Sequence, residues 1–150
     1  MPETRHVILA MDGGKVSGLA AFEPYARDFE SLELPTWEAV GWIDTLLSHP
    51  RVEVEAVIVE KFVITARTLK LTRGENWTLE ANGAVRYLCH EHGVPYFDYS
   101  AHDSKAFGTT NKLYRVGWLS PTEGGHRDDA ARLILKYFAD HDRLHLVGLA

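Results

Sequence analysis

The chain has 150 residues, 45% hydrophobic and 25% charged, with 12 glycines and 6 prolines, which is the composition of one ordinary globular domain spanning residues 1–150. That balance excludes a disordered tail, a collagen-like repeat and a coiled coil, and the longest apolar runs, residues 7–11 and 56–59, are far short of the ~20 residues a membrane span needs. The formal charge of -5 argues against a nonspecific nucleic-acid coat, yet it is unevenly spread: residues 1–60 carry a net -7, residues 61–115 a net +3 and residues 116–150 a net -1. A basic middle third can form one positive face, and a local patch, not the total, steers a polyanion.

In chain order, residues 6–11 form an aliphatic, β-branched run of strand length that ends at Asp12, and Gly13-Gly14-Lys15 makes a tight turn. The run over residues 17–23 follows at hairpin spacing and predicts an antiparallel neighbour, with a third strand between residues 27 and 34. Trp37, Val40, Ile43, Leu46 and Leu47 recur at helical spacing through Ser48, after a start at Pro35-Thr36. Ala56-Val57-Ile58-Val59 reads as a strand buried on both faces, and it terminates in Glu60. A helix over residues 77–92 closed by Gly93, a strand over residues 94–99 and a short helix over residues 101–107 come next. An irregular stretch through Leu119 and a last helix over residues 127–140 complete the chain. Alternating strands and helices of this kind indicate an α/β domain.

Three places put an acidic group where a site belongs. Asp12 and Glu60 both close apolar strands, and Glu60 stands at the end of a sheet-centre strand, where open α/β sheets bind their ligands. The bland readings are a turn aspartate for Asp12 and a salt bridge to Lys61 for Glu60. On the last helix, Ala130, Leu133, Ile134, Tyr137 and Phe138 form one core-facing stripe, and stepping back four and seven positions from Leu133 lands on Asp129 and His126. Both are therefore expected to point inward, with Asp128 on the flank. A first-turn aspartate favoured by the helix dipole, with His126 as a simple cap, is the alternative. A carboxylate cluster of this kind suits two divalent cations ~3.5–4 Å apart on a phosphodiester, with hard oxygen donors favouring Mg²⁺ or Mn²⁺ and an imidazole tilting the preference towards Mn²⁺. The single cysteine, Cys89, can form neither an internal disulfide nor a multi-cysteine zinc site, and it reads as a small apolar residue in a reducing compartment. With no signal-peptide charge pattern in residues 1–4, the expected location is the cytoplasm.

These residues resemble the RuvC-type Holliday junction resolvases of the ribonuclease H-like superfamily. The segment Val7-Ile8-Leu9-Ala10-Met11-Asp12-Gly13-Gly14 is similar to that family's first strand, and Ala56-Val57-Ile58-Val59-Glu60 to the strand that ends in its catalytic glutamate. The segment His126-Arg127-Asp128-Asp129-Ala130 resembles the final-helix motif, in which two ligands stand three apart and the first is aspartate or histidine; Asp128 is then a bystander. Leu69-Lys70-Leu71 adds to the likeness, as does Tyr99-Ser100-Ala101-His102-Asp103-Ser104-Lys105, and Lys112 resembles the family's second lysine. The likeness spans about residues 6–140 and keeps the element order.

The resemblance implies a ribonuclease H-like fold with a mixed five-stranded sheet flanked by helices, acting as a homodimer that nicks four-way junction DNA by two-metal hydrolysis. In that reading Asp12, Glu60, His126 and Asp129 are catalytic and hold Mg²⁺ or Mn²⁺. Lys105 and Lys112 meet the DNA backbone near the cut, and Arg67, Lys70 and Arg73 add phosphate contacts from the segment after Glu60. Phe62, or Val63-Ile64, is the candidate aromatic or apolar wedge, with core packing of Phe62 as the alternative. The greater acidity and shorter length imply a weaker or more focused DNA affinity. The resemblance to relatives of viral origin, which cut flaps, forks and other branched DNA, favours the broader label of branched-DNA endonuclease, as in phage-type members, in a bacterial cell or a phage-infected host. Two other classes stand beside it: a noncatalytic DNA-binding scaffold on the same fold, and a fragment of an actin-like ATPase, which the length and the lack of a Gly-rich phosphate loop disfavour.

Overall fold

The computed structural model describes residues 3–63, 65–66 and 76–149. Its centre is a five-stranded sheet of β1 (Arg5–Asp12), β2 (Val16–Glu23), β3 (Asp28–Pro35), β4 (Val52–Glu60) and β5 (Tyr96–Tyr99) in the order β3-β2-β1-β4-β5. The β1–β2–β3 meander is antiparallel, whereas β4 and β5 run parallel to β1, so the sheet is mixed, as the sequence leads one to expect. Helices α1 (Thr36–Ser48) and α2 (Trp77–His92) cover one face. The other face is covered by α5 (His126–Asp140), beside the short helices α3 (Ala101–Phe107) and α4 (Thr110–Val116). A 3₁₀ turn at Leu144–Val147 packs against this second layer.

The pleat explains why β1 and β4 read as unbroken apolar runs. Successive side chains face opposite sides, and here both sides are covered. Ile8, Ala10, Ala56 and Ile58 face α5, meeting Leu133, Ile134 and Phe138, while Val7, Leu9, Met11, Val57 and Val59 face Ala39 and Ile43 of α1 and Ala81 and Val85 of α2. Cys89 is buried in the layer under α1 and α2, where burial pushes its thiol up to about 11 and leaves it unreactive at neutral pH. A polar residue at the end of such a strand has nowhere to go but the sheet edge. Asp12 and Glu60 emerge side by side there, since β1 and β4 are parallel with Met11 opposite Val59.

Three expectations need correction. Residues 110–116, read as irregular, form α4: the Thr109 hydroxyl caps it by accepting from the Lys112 amide, and Gly117, at φ 78, ends it in the left-handed conformation. A Gly-Thr-Thr-Asn lead-in masks a helix only two turns long. The last strand begins at Tyr96, two residues later than read, because Pro95 has no amide hydrogen and only its carbonyl joins the edge, accepting from Val57. Asp128, expected on the flank of α5, is fully buried. The reason is that α5 is enclosed on more than one stripe: Ala131, Arg132 and Leu135, three, four and seven residues beyond Asp128, are buried too. None of the helices among the described residues is long and apolar enough to cross a membrane.

Candidate metal and nucleic-acid site

At the carboxyl edge of β1 and β4 the fold assembles a compact acidic cluster. Asp12, 5% exposed, is directly opposite Gly18 in the β1–β2 ladder. Gly18 is what admits the first turn of α5: a Cβ there would lie 1.9 Å from the His126 carbonyl oxygen and 2.7 Å from the Arg127 amide nitrogen. With that space free, His126 Nδ1 sits 3.0 Å from Asp12 Oδ2. Asp12, His126 and Asp129 each offer a donor atom within 4.8 Å of the others. The side chain of Arg127 anchors this turn from the other side, its guanidinium donating to the hydroxyl and carbonyl of Ser31 on β3.

Glu60 joins from β4. Burial, the Asp12 charge and a hydrogen bond to Asp12 push its carboxyl up to about 8, so at neutral pH Glu60 keeps its proton. Burial also raises Asp129, while Lys105 and Arg132 pull it back; Lys105 Nζ lies 3.7 Å from Asp129 Oδ2. His126 is raised by its hydrogen bond to Asp12. Two carboxylates and one imidazole, with the Glu60 carboxyl against Asp12, form a donor set that fits a hard divalent cation, with oxygen donors in the majority. The imidazole is at the rim: its side chain is 53% exposed, so the inward direction expected of His126 is corrected to a position across the mouth, drawn there by Asp12.

Helix α2 braces the two strand ends from the opposite face. Thr78 Oγ1 donates to the Gly13 carbonyl at 2.7 Å, and Asn82 Nδ2 donates to the Glu60 carbonyl at 2.9 Å. Neither was singled out by the sequence, although Asn82 is a polar interruption in the buried series Ala81, Val85 and Cys89. Asp128 stands outside the candidate ligand group, as expected of a bystander to it, but it has a structural task. It accepts from the Ser120 amide (2.8 Å), the Ser120 hydroxyl (3.0 Å) and the Gly124 amide (2.8 Å), and so ties the loop before α5 to the helix. Its carboxylate oxygens are thereby committed to the loop.

The candidate DNA-contacting residues are distributed unevenly. Lys105 is half exposed beside Asp129 and borders a cleft of about 410 Å³ with Thr109, Thr110, Gly124 and Arg132. Lys112 is folded back, donating to the Phe107 carbonyl at 2.9 Å with its ammonium 3.7 Å from the Phe107 ring centre. Phe62 lies just past β4 and is partly buried, and Val63 is 52% exposed. Arg67, Lys70 and Arg73 lie outside the described residues, as does Ile64. Larger clefts, about 590 and 520 Å³, surround His6 and Tyr25 at the far end of β1, remote from the carboxylates.

No protein-family model matches the chain, and no curated protein matches it in sequence. Among solved structures it is similar to Thermus thermophilus RuvC in complex with a Holliday junction substrate, at TM-score 0.58 and 22% identity over 92% of this chain and 97% of that one. A second structure of T. thermophilus RuvC gives TM-score 0.55 and 21% identity, over 91% and 97% of the two chains. The chain has the RuvC fold. The ribonuclease H-like architecture expected from the sequence is thus the observed one, and the RuvC likeness runs through nearly the whole of both chains.

Proposed function

We propose that this single domain is a metal-dependent, structure-selective DNA endonuclease that cuts four-way junctions and other branched DNA by phosphodiester hydrolysis, acting as a homodimer. The observation that carries the reading is the convergence of Asp12, His126 and Asp129 within 4.8 Å, with Glu60 against Asp12, at the carboxyl edge of a RuvC-like sheet. That a protein of the same fold has been solved on a Holliday junction supports the choice of DNA over other phosphodiesters.

In this mechanism Asp12, Glu60, His126 and Asp129 would hold Mg²⁺ or Mn²⁺, two ions per site. Bound there, the ions supply positive charge to the scissile phosphate and acidity to a water molecule. The residues of the chain do the rest. Lys105, half exposed at the edge of the cluster, meets a backbone phosphate and orients it against Asp129. Arg67, Lys70, Arg73 and Lys112 extend the cationic track, with Phe62 as the wedge beside the site; Lys112 must leave its Phe107 contacts to do so. Glu60 holds a proton at neutral pH that a bound cation would have to displace, so cation binding should strengthen as pH rises towards 8. A cellular or phage-infected bacterial cytoplasm is the setting this activity fits, and tolerance of several branched substrates is what the phage-type resemblance leads us to expect.

The test is Asp12→Asn. The substitution keeps the shape of the side chain and removes its charge, so the variant should bind a labelled four-way junction as the wild type does and fail to cut it. Its melting temperature should also lose the rise that Mn²⁺ gives the wild type. Cleavage surviving in Asp12→Asn would remove the carboxylate cluster from the reaction.

A further inference from the structure

Arg132 is the least expected residue near the cluster. It is 93% buried on α5, among Ala130, Ala131, Leu133, Ile134 and Leu135. A buried guanidinium is costly unless its charge and its donors are met. Its Nη2 donates to Thr110 Oγ1 at 2.9 Å, and its Nη1 lies 3.5 Å from Asp129 Oδ1, one turn back on the same helix. Nη1 itself makes no well-formed hydrogen bond, so among the described residues the Asp129 ion pair is the charge compensation it has. The stem is fixed as well. A Cβ on Gly108 would come within 3.0 Å of Arg132 Cα, Cβ and Cγ, so the α3–α4 junction rests directly on the arginine. That junction lies between Lys105 and Lys112.

We propose that Arg132 is a positioning residue for the acidic cluster: it holds the Asp129 carboxylate in its cation-binding orientation and locks it to Thr110, keeping the carboxylates in register with the lysine-bearing helices α3 and α4. The inference rests on the reading of Asp12, His126 and Asp129 as a cation site. Lys105 cannot replace Arg132 in this role, because its half-exposed ammonium approaches the other carboxylate oxygen from solvent. Arg132 approaches from the protein side with a planar fork whose second arm is already anchored.

The direction of the effect separates positioning from simple charge. A positive group 3.5 Å from a carboxylate repels an incoming cation, so removing it for charge reasons alone would tighten Mn²⁺ binding. Loss of positioning does the opposite, and partners that orient a metal ligand are typically worth ~10–100-fold in affinity. The experiment is calorimetric titration of Mn²⁺ into the full chain, wild type against Arg132→Met, Arg132→Lys and Thr110→Val, with a melting curve for each and junction cleavage measured on the same preparations.

Arg132→Met, which keeps most of the buried volume, should bind Mn²⁺ at least ~10-fold more weakly. Arg132→Lys should recover little, since it restores the charge without the fork, and Thr110→Val should weaken binding in the same direction by less. Unchanged or tighter Mn²⁺ binding in Arg132→Met overturns the proposal. Should Arg132→Met not fold, the other two variants decide: wild-type affinity in both overturns it. A wild type that binds Mn²⁺ without cutting DNA, with the variants still weakened, would remove the nuclease reading and leave the positioning role standing. A wild type that binds no Mn²⁺ would remove both.

Discussion

Replacing Gly18 with alanine tests how the cluster is built. The added methyl carbon would stand 1.9 Å from the His126 carbonyl oxygen and 2.1 Å from its carbonyl carbon, where ordinary contact begins at 3.4 Å. Both neighbours are backbone atoms in the first turn of α5, so no side chain can rotate away. The turn must retreat from the sheet by about 1.5 Å, and overpacking of this kind costs ~1–3 kcal/mol. For a domain of this size that corresponds to a fall in melting temperature of ~2–4 °C per kcal/mol. The retreat also carries His126 away from Asp12, from a starting separation of 3.0 Å. A displacement of ~1 Å at a reacting site is worth ~10²-fold in rate, so the loss of activity should exceed what the lost stability explains. The assay is a pair of melting curves, with and without Mn²⁺, and single-turnover cleavage of a four-way junction well below the melting transition. Gly18→Ala melting within about a degree of the wild type, with Mn²⁺ stabilisation and cleavage intact, would refute the claim that close approach at Gly18 sets the site geometry.

Glu60, pushed up to about 8 from 4.5, keeps a proton in the folded chain that the unfolded chain has released, so stability in EDTA should fall as pH rises from about 4.5 to 8. After solvent screening of this partly exposed carboxyl the fall should be ~1–2 kcal/mol, and Glu60→Gln should flatten it; an unchanged slope contradicts the assignment. Asp128→Asn puts an amide nitrogen where three donors converge, and should destabilise the fold by ~1–3 kcal/mol while Mn²⁺ binding persists. Loss of Mn²⁺ affinity in a folded Asp128→Asn would instead make Asp128 a ligand. Lys105→Ala should weaken junction binding and lower the slope of log affinity against log salt by about one, and an unchanged slope takes Lys105 off the DNA face.

The acids on the strands were legible because β1 and β4 are buried on both faces: a carboxylate interrupting such a run can only mark its end. The pairing of His126 with Asp129 was legible from the stripe of α5, since three residues nearly complete a turn. What the stripe could not reveal is how far the protein wraps around that helix. Asp128 and Arg132, one turn apart and both buried, are on a second enclosed face created by the loop at Ser120 and Gly124 and by the α3–α4 junction. A charged residue on a helix is ordinarily solvated, so neither position announces itself. Gly18 was equally silent: a glycine in a strand carries no sign of what approaches it, and only the tertiary contact with His126 explains it. The short helix α4 depends on a hydroxyl cap and a left-handed glycine, signals that a Thr- and Gly-containing connection shares with ordinary turns.

The most direct test of the central claim is incubation of the purified chain with labelled four-way junction, flap and linear duplex DNA in Mg²⁺, Mn²⁺ or EDTA, with Asp129→Asn alongside. The account predicts nicks in the branched substrates with either cation, none in EDTA, and none from Asp129→Asn, which should still bind the junction. A folded wild type that binds the junction and cuts nothing in either metal would contradict it and favour a noncatalytic scaffold on the same fold.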